Sequence, residues 1–393
     1  MKLTSVEIEN YRGIESLTLP LDPQMTVLFG PNGCGKTSVL TAIAAAKNID
    51  EYGERIRPRL DEYAGSTGSP RVQLFADGEA CVSAEVLGDG QGGPLWQHVN
   101  RYPSRLESLP SLVFYDVDRA VVSSLSGRKV GLQADYRVLF EWFKDMEDRE
   151  LRLQREDKDV KIGSLAAVRT AICRMLGDVS DPHIEYLLNH PVPMLVVKQD
   201  AKPDLAFEQL SDGYKGVIAL AADIARRLVG PIDVVAKAVL ERKALVLIDE
   251  IELHLHPAWQ QRVLPDLMRT FPNVQFIVST HSPQVLTTVR PEQIVELGWQ
   301  DGRIVAGAAP SPTYGAEADY VLSALMNVDK RPPNSFARKL REYMRLIDDG
   351  KGESDKARNL RQTLEELSPG DLGFLRADAE IRRQRMTRGT GES

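Results

Sequence analysis

The sequence predicts an α/β fold that combines a mostly parallel sheet with an N-terminal antiparallel β-subdomain, an inserted helical lobe and a helical C-terminal region. An alternating strand at 25–29 leads into a glycine-rich loop and then into a helix-forming run. Three later apolar runs (245–248, 274–279 and 294–297) alternate with helical patterns and have the composition of strands buried on both faces. After Gly315 the periodicity is mainly helical to the end.

The antiparallel β-subdomain is predicted from alternation near the N-terminus. Residues 3–8 and 17–21 alternate apolar and polar side chains on either side of a turn. A second pair of alternating runs, 72–75 and 81–87, flanks Asp77–Gly78, a dipeptide that favours a two-residue hairpin turn. We therefore expect hairpins with antiparallel pairing in this region.

Helical patterns dominate the middle of the chain. Residues 134–176 carry apolar stripes at helical spacing, and a second helix within them is predicted from about Ser164 to Leu176. Two short runs, 194–198 and 205–207, have the composition of paired strands. Further along, Pro257 is placed to begin a helix.

Composition excludes several classes of protein. The chain has 393 residues and a net charge of −7, so no global positive field attracts it to nucleic acid. No uncharged apolar run is long enough to span a membrane, and the N-terminus lacks the apolar core of a signal peptide. The three cysteines, Cys34, Cys81 and Cys173, lie far apart without metal-ligand spacing. We expect a protein of the reducing cytoplasm with no membrane partner.

The loop at Gly30–Thr37 reads GPNGCGKT and fits the phosphate-binding pattern G-x-x-x-x-G-K-[ST]. Backbone N–H groups in such a turn bind phosphate oxygens with help from the helix N-terminus. Lys36 can then reach the β- and γ-phosphates of ATP, and the Thr37 hydroxyl can bind Mg²⁺. The alternative is a chance glycine-rich turn before a helix. The predicted nucleotide contacts in this segment are Gly30, Pro31, Asn32, Gly33, Cys34, Gly35, Lys36, Thr37 and Ser38.

An apolar strand ending in two acids, LVLIDE, follows at Leu245–Glu250. Beside the phosphate loop, such a strand places Asp249 near Mg²⁺ and leaves Glu250 to polarise the attacking water. The alternative is a strand that simply ends in a polar turn.

Ser211 stands at the start of an apolar helix, within the run QLSDGYKG. Serine is a good N-cap, and the N–H groups after it, at Asp212 and Gly213, form an anion site at the helix start. The alternative is an ordinary helix cap without a ligand.

His281 ends a buried strand in FIVSTHSPQVL. A histidine there can donate a hydrogen bond to the γ-phosphate and so respond to its presence. The run HLHP, residues 254–257, follows the two acids directly. Its His-x-His spacing could suggest a metal, but no third ligand is apparent, and we favour a structural or interface use.

These motifs, in this order, resemble the ATP-binding-cassette superfamily in its branch with RecF, SMC and OLD-type ATPases. The resemblance implies that Leu210–Gly216 is the signature segment and that Asp249, Glu250 and His281 serve the nucleotide. It also implies that Arg12, in the run YRG after the first strand, contacts the nucleotide. A head-to-tail dimer or higher oligomer is implied, in which Ser211 of one subunit caps the nucleotide held by Lys36 of the other.

One departure from that superfamily concerns a glutamine that normally links Mg²⁺ to the helical lobe. The strand that aligns with it, Ser111–Arg119, contains no glutamine. Tyr115, Asp116 or Arg119 could take its place, or the alignment could differ; the sequence leaves these alternatives open.

The C-terminal region, from Tyr314–Pro333 through the charged run to Met386, resembles that of PtuA-type ATPases of Septu anti-phage systems and some retrons. That resemblance implies a small separate HNH nuclease (PtuB) as partner and, in a retron, a reverse transcriptase with its multicopy DNA; nucleic acid would be reached through the complex. No histidine follows His281, and about ninety residues follow the last core strand, few for a further catalytic domain, so we expect no nuclease in this chain.

The predicted division assigns the functions to four segments: 1–120 with the phosphate loop and β-subdomain, 121–208 with the inserted lobe and arm, 209–310 with the signature, acid pair and histidine, and 311–393 as a helical partner-binding region. The alternative function is a RecF- or SMC-like repair ATPase that binds DNA directly. A transporter ATPase is disfavoured, because the segment between Thr37 and Leu210 is too long for a compact helical lobe.

Overall fold

The computed structural model describes residues 1–47, 69–88, 94–101, 109–117, 136–186, 193–199, 203–210, 212–229, 236–309, 312–329 and 331–389. Its strands are β1 (Leu3–Tyr11), β2 (Ile14–Pro20), β3 (Met25–Phe29), β4 (Arg71–Ala76), β5 (Glu79–Gly88), β6 (Pro94–Arg101), β7 (Ser111–Tyr115), β8 (Val179–Glu185), β9 (Met194–Gln199), β10 (Leu205–Ala206), β11 (Ala244–Ile248), β12 (Gln275–Ser279), β13 (Ile294–Gln300) and β14 (Arg303–Ala308).

The α-helices in the same residues are α1 (Lys36–Lys47), α2 (Tyr136–Leu153), α3 (Gly163–Leu176), α4 (Asp212–Leu228), α5 (Ala236–Leu240), α6 (Pro257–Gln260), α7 (Val263–Thr270), α8 (Pro283–Leu286), α9 (Ala318–Ala324), α10 (Ser335–Asp348), α11 (Asp355–Leu367) and α12 (Leu372–Gly389). None of these described helices is both long and apolar enough to cross a lipid bilayer.

The central sheet has the strand order β14–β13–β3–β12–β11–β7. Neighbouring pairs from β13 to β7 are parallel, and only β14 at the edge pairs antiparallel. Along β11, Leu245 and Leu247 face one core cluster and Val246 and Ile248 face another, so both faces of the sheet are covered. The mostly parallel sheet predicted from continuous apolar runs is therefore confirmed.

The predicted N-terminal β-subdomain is confirmed as an antiparallel sheet in the order β2–β1–β4–β5–β6. The turn between β4 and β5 has Asp77 at φ 53° and Gly78 at φ 79°, the left-handed values that a two-residue hairpin requires. Helix α1 packs in the same core cluster and is buried around most of its circumference, as its run of alanines allows.

The opposite face of the central sheet is covered by helices, chiefly α3, α4 and α7. In the inserted lobe, the strand pair predicted from the runs 194–198 and 205–207 is confirmed as β9 and β10, which pair antiparallel. A third strand, β8, extends this pair into the sheet β10–β9–β8 and was not predicted. Strand β8 escaped prediction because its sequence, VSDPHIE, includes a proline and several polar residues. Arg169 on α3 forms ion pairs with Glu147 and Glu150, two buried carboxylates of α2.

The chain divides into two compact units, residues 1–326 and 327–393. In the second unit α10, α11 and α12 pack around Leu340, Tyr343, Ile347, Leu364 and Phe374. The first two of these helices begin at side-chain caps, where Asn334 and Ser354 accept backbone N–H groups. The four-segment division made from the sequence is finer than these two units and stays a prediction.

Candidate functional site

The phosphate loop lies between β3 and α1, at the carboxyl edge of the central sheet. A Cβ on Gly30 would lie 2.0 Å from the carbonyl oxygen of Leu297, so only glycine fits where the loop passes strand β13. Gly35 has φ 93°, in the left-handed region that other residues rarely adopt. The spacing of glycines in the motif is thus explained by one close approach and one backbone conformation.

Lys36 begins α1, and its ammonium group turns back across the loop. Nζ donates hydrogen bonds to the carbonyl oxygens of Gly30, at 2.8 Å, and Pro31, at 3.0 Å. The residue is only 7% exposed, so its ammonium group is partly desolvated. Its electrostatic attraction for a bound anion is therefore stronger than it would be in bulk water.

Asp249 follows β11 and is joined to the phosphate loop by a side-chain hydrogen bond. The Thr37 hydroxyl donates to Asp249 Oδ2 over 2.6 Å, although the two residues are 212 positions apart. The other carboxylate oxygen accepts from the hydroxyl of Ser279 at the end of β12. A hydroxyl and a carboxylate at this separation are oxygen donors of the kind that Mg²⁺ binds in phosphate sites.

Glu250, the second acid, is held by its backbone. Its N–H donates to Ser279 Oγ at 2.8 Å, and its φ of 47° is left-handed. Such a backbone costs about 1 kcal/mol or more for a residue other than glycine and is characteristic of functional sites. The strand end therefore turns sharply at Glu250, and its side chain lines the same cavity as Lys36.

His281 follows β12 and is positioned by a carboxylate that the sequence analysis did not single out. Glu252 accepts the backbone N–H of His281 and, over 2.8 Å, the hydroxyl of Thr280. The loop after β11 thus holds the loop after β12. This pairing could not be predicted from a local sequence pattern, because Thr280 and His281 are 28 and 29 positions away from Glu252.

A cavity of about 400 Å³ brings these loops together. Its lining includes two residues that the sequence analysis did not assign, Gly13 and Ile304. The described lining residues are Gly13, Asn32, Gly33, Gly35, Lys36, Thr37, Ser38, Asp249, Glu250, His281 and Ile304.

Other predicted site residues are not among the described residues that line this cavity. Arg12 does not line this cavity; its Nη1 lies 3.5 Å from the Thr41 hydroxyl on α1, and its guanidinium stacks over the ring of Tyr11. Ser211 lies outside the described residues, and Asp212 begins α4. Gly213 is buried against the loop at His254, where a Cβ would lie 3.2 Å from the carbonyl oxygen.

The run HLHP takes a structural place. His256 Nδ1 accepts the backbone N–H of Ala258 and so caps α6, which begins at Pro257 as predicted. Across the part of the chain that the structure describes, no group of three or more metal-ligating side chains is found.

Tyr115 on β7 connects the neighbouring strand β11 to helix α4. Its carbonyl oxygen accepts the N–H of Asp249 at 2.8 Å, and its hydroxyl donates to Asp223 on α4, also at 2.8 Å. Burial, and next the Asp223 carboxylate, raise the pKa of Tyr115 well above its usual value, so the hydroxyl keeps its proton. Asp223 is itself held by Arg226 and Arg227. Of the three alternatives for the missing glutamine, Arg119 lies outside the described residues.

Comparisons with known proteins relate this chain to ATPases. Residues 99–287 match a family model described as "AAA domain, putative AbiEii toxin, Type IV TA system", and residues 1–66 match one described as "AAA ATPase domain". The chain is 27% identical to the Retron Ec83 probable ATPase of Escherichia coli, over 98% of this chain and 87% of that protein. It is 21% identical to the Septu protein PtuA of Bacillus thuringiensis, over 88% and 89%.

Among solved structures, the SMC head bound to the C-terminal winged-helix domain of ScpA is similar in fold. The TM-score is 0.51 with 17% sequence identity, over 78% of this chain and 98% of that chain. The fold and the arrangement of side chains therefore define a P-loop ATPase with an SMC-head-like architecture. Within that class the chain is a relative of the PtuA-type ATPases of Septu and retron systems, so the resemblance predicted from its motifs is confirmed.

Proposed function

We propose that this chain binds Mg·ATP in the cavity at Lys36 and hydrolyses it to ADP and phosphate. The observation that carries the proposal is the hydrogen bond between Thr37 and Asp249 in a cavity also lined by Lys36, Glu250 and His281. Thr37 and Asp249 would hold Mg²⁺, which neutralises phosphate charge when bound. Backbone N–H groups of the loop and Lys36 bind the phosphates.

Glu250 is proposed to accept a proton from the attacking water, and His281 to donate a hydrogen bond to the γ-phosphate. Both side chains line the cavity. The turned backbone of Glu250 and the Glu252 contact to the His281 N–H support these roles, because each fixes the direction from which the side chain enters. Asn32, Gly33 and Ser38 complete the nucleotide contacts.

The active form is proposed to be a head-to-tail dimer, in which Ser211, Asp212 and Gly213 of one copy close the nucleotide site of the other. Helix α4 supports this arrangement, since it begins at Asp212 and a helix start favours bound anions. In this arrangement each copy contributes to two incomplete sites, and hydrolysis requires association.

The chain is further proposed to act as the regulatory ATPase of an anti-phage complex in the cytoplasm, with a separate small HNH nuclease as partner. The retron and Septu relatives match nearly the whole chain, which supports this assignment. The C-terminal unit exposes the apolar side chains of Leu367, Leu372 and Leu375, and the last two lie one helical turn apart on α12. Neighbouring exposed apolar groups characterise protein interaction surfaces. We propose this unit as the docking region for the nuclease.

The experiment combines ATPase and nuclease assays on the purified full-length chain. We expect slow ATP hydrolysis and intact plasmid DNA. Cleavage should appear only after the small HNH protein encoded by a neighbouring gene is added. Cleavage by the chain alone that is unaffected by Glu250→Gln would contradict the proposal. ATP-dependent DNA binding by the chain alone that weakens steeply with salt would instead support the RecF-like alternative.

Tyr115→Phe tests whether the Tyr115–Asp223 hydrogen bond replaces the missing glutamine link. We expect ATP affinity to stay within about twofold while turnover falls about fivefold or more, the usual size of coupling between two sites. Measurement of both kcat and KM separates this coupling from a general loss of stability. Tyr186→Phe is the matched control, because it removes an exposed hydroxyl from the same unit. Unchanged kcat in Tyr115→Phe would show that the bond only packs the core.

A further inference from the structure

The candidate site has two chemically different sides, which lie on opposite sides of β3 in the central sheet. In the central sheet β3 lies between β13 and β12, with β11 beyond β12. Asp249, Glu250 and His281 follow β11 and β12, on one side of the phosphate loop. The hairpin of β13 and β14 lies on the other side, where Ile304 lines the cavity.

Trp299 lies on that second side, just past the phosphate loop. Strand β13 pairs with β3 up to Glu296 and Phe29, and the next carbonyl, of Leu297, lies against Gly30. Trp299 follows two positions later and therefore extends the same face of the strand beyond the loop.

The indole ring is directly beside the cavity lining. Trp299 pairs across the hairpin with Ile304, whose Cδ1 lies 3.3 Å from the Cβ position of Gly13 and 3.2 Å from that of Gly35. Its own Cη2 lies 3.6 Å from the Cβ position of Gly13, so the ring lies against bare backbone. Both Gly13 and Ile304 line the cavity.

Trp299 is nevertheless 53% exposed. An indole face left in water at the edge of a nucleotide-sized cavity gains from stacking on another flat ring. Since the acids and His281 lie where the terminal phosphate and its metal would bind, the other end of a nucleotide points toward the hairpin.

We propose that Trp299, with Ile304, forms the nucleobase subsite of this ATPase: the base stacks on the indole while the phosphates occupy the loop. The inference rests on the proposed binding of ATP at Lys36. Stacking of a base on an aromatic side chain is a recurring mode of recognition that needs no hydrogen bond to the base.

The test compares ATP with inorganic tripolyphosphate, which has the phosphates but no base. Each ligand is titrated calorimetrically in the presence of Mg²⁺. The full-length Glu250→Gln chain is the parent, because we expect it to hydrolyse ATP slowly, and the substitutions at Trp299 and Val305 are made in that background. We expect Trp299→Ala to weaken ATP binding about 5- to 150-fold, the range of one base–aromatic stack, and to leave tripolyphosphate binding unchanged. Trp299→Phe should keep ATP affinity within about threefold, because it keeps an aromatic face.

Val305→Ala is the control, since it removes an exposed apolar side chain from the adjacent position on β14. Equal weakening of both ligands by Trp299→Ala would show a distorted loop and overturn the subsite. No change in either ligand would also overturn it and would leave the indole free for a protein partner. If the parent chain binds neither ligand, the proposed function itself fails and the subsite fails with it.

Discussion

Lys36→Ala is expected to abolish ATP binding at micromolar nucleotide concentrations. Among the described residues that line the cavity, Lys36 is the one with a permanent positive charge, and it is almost fully buried. Removing one partner of a buried charge-assisted contact costs about 2–5 kcal/mol, which weakens binding by at least about 30-fold. Calorimetric titration with Mg·ATP measures the loss directly.

Two controls separate this effect from misfolding. Lys237→Ala removes the same charge from an exposed surface pair with Glu241 and should leave ATP affinity unchanged. Thermal unfolding without nucleotide checks the fold, because Lys36 also holds the carbonyl groups of Gly30 and Pro31. A folded Lys36→Ala chain that binds ATP normally would place the nucleotide elsewhere.

Glu250→Gln is expected to bind ATP with near-native affinity and to hydrolyse it about 10²–10⁴-fold more slowly, the usual cost of losing a catalytic base. Glutamine keeps the shape of the side chain but cannot accept the proton of the attacking water. Because the closed state would then persist, sedimentation with Mg·ATP should show the 43.7 kDa chain at twice its mass. Single-turnover hydrolysis provides the rate.

Glu292→Gln offers a matched control, since it neutralises an exposed carboxylate near β13. Its turnover should equal that of the parent chain. Turnover of Glu250→Gln at the parent rate would remove Glu250 from the catalytic role and leave the water-activating group unassigned.

The local parts of this architecture could be predicted from sequence because short-range patterns encode them. The glycine spacing before Lys36, the apolar run before Asp249 and the turn at Asp77–Gly78 each reflect a conformation set within a few residues. The order of these motifs then predicted which loops meet, since carboxyl ends of parallel strands lie at one edge of a sheet. The structure brings Lys36, Thr37, Asp249, Glu250 and His281 into one cavity accordingly.

What the sequence did not predict depends on partners far away in the chain. The hydrogen bond from Tyr115 to Asp223 joins residues 108 positions apart, and the sequence around either residue does not predict the other as its partner. Glu252 follows two acids and reads as one more polar turn residue, although it fixes the His281 backbone. Strand β14 was not predicted, because its sequence, RIVAGA, is short and consists mostly of small residues. It nevertheless contributes Ile304 to the cavity lining.

The most direct measurement is a structure of Glu250→Gln with Mg²⁺ and ATP. A site shared between two copies predicts two nucleotides, each on Lys36 of one copy, with the Ser211 hydroxyl of the other about 3 Å from a terminal phosphate oxygen. Ser211→Arg in the same background should bind ATP as a single chain. A nucleotide enclosed by one copy alone, with Ser211 of every other copy far from the phosphates, would contradict the shared site.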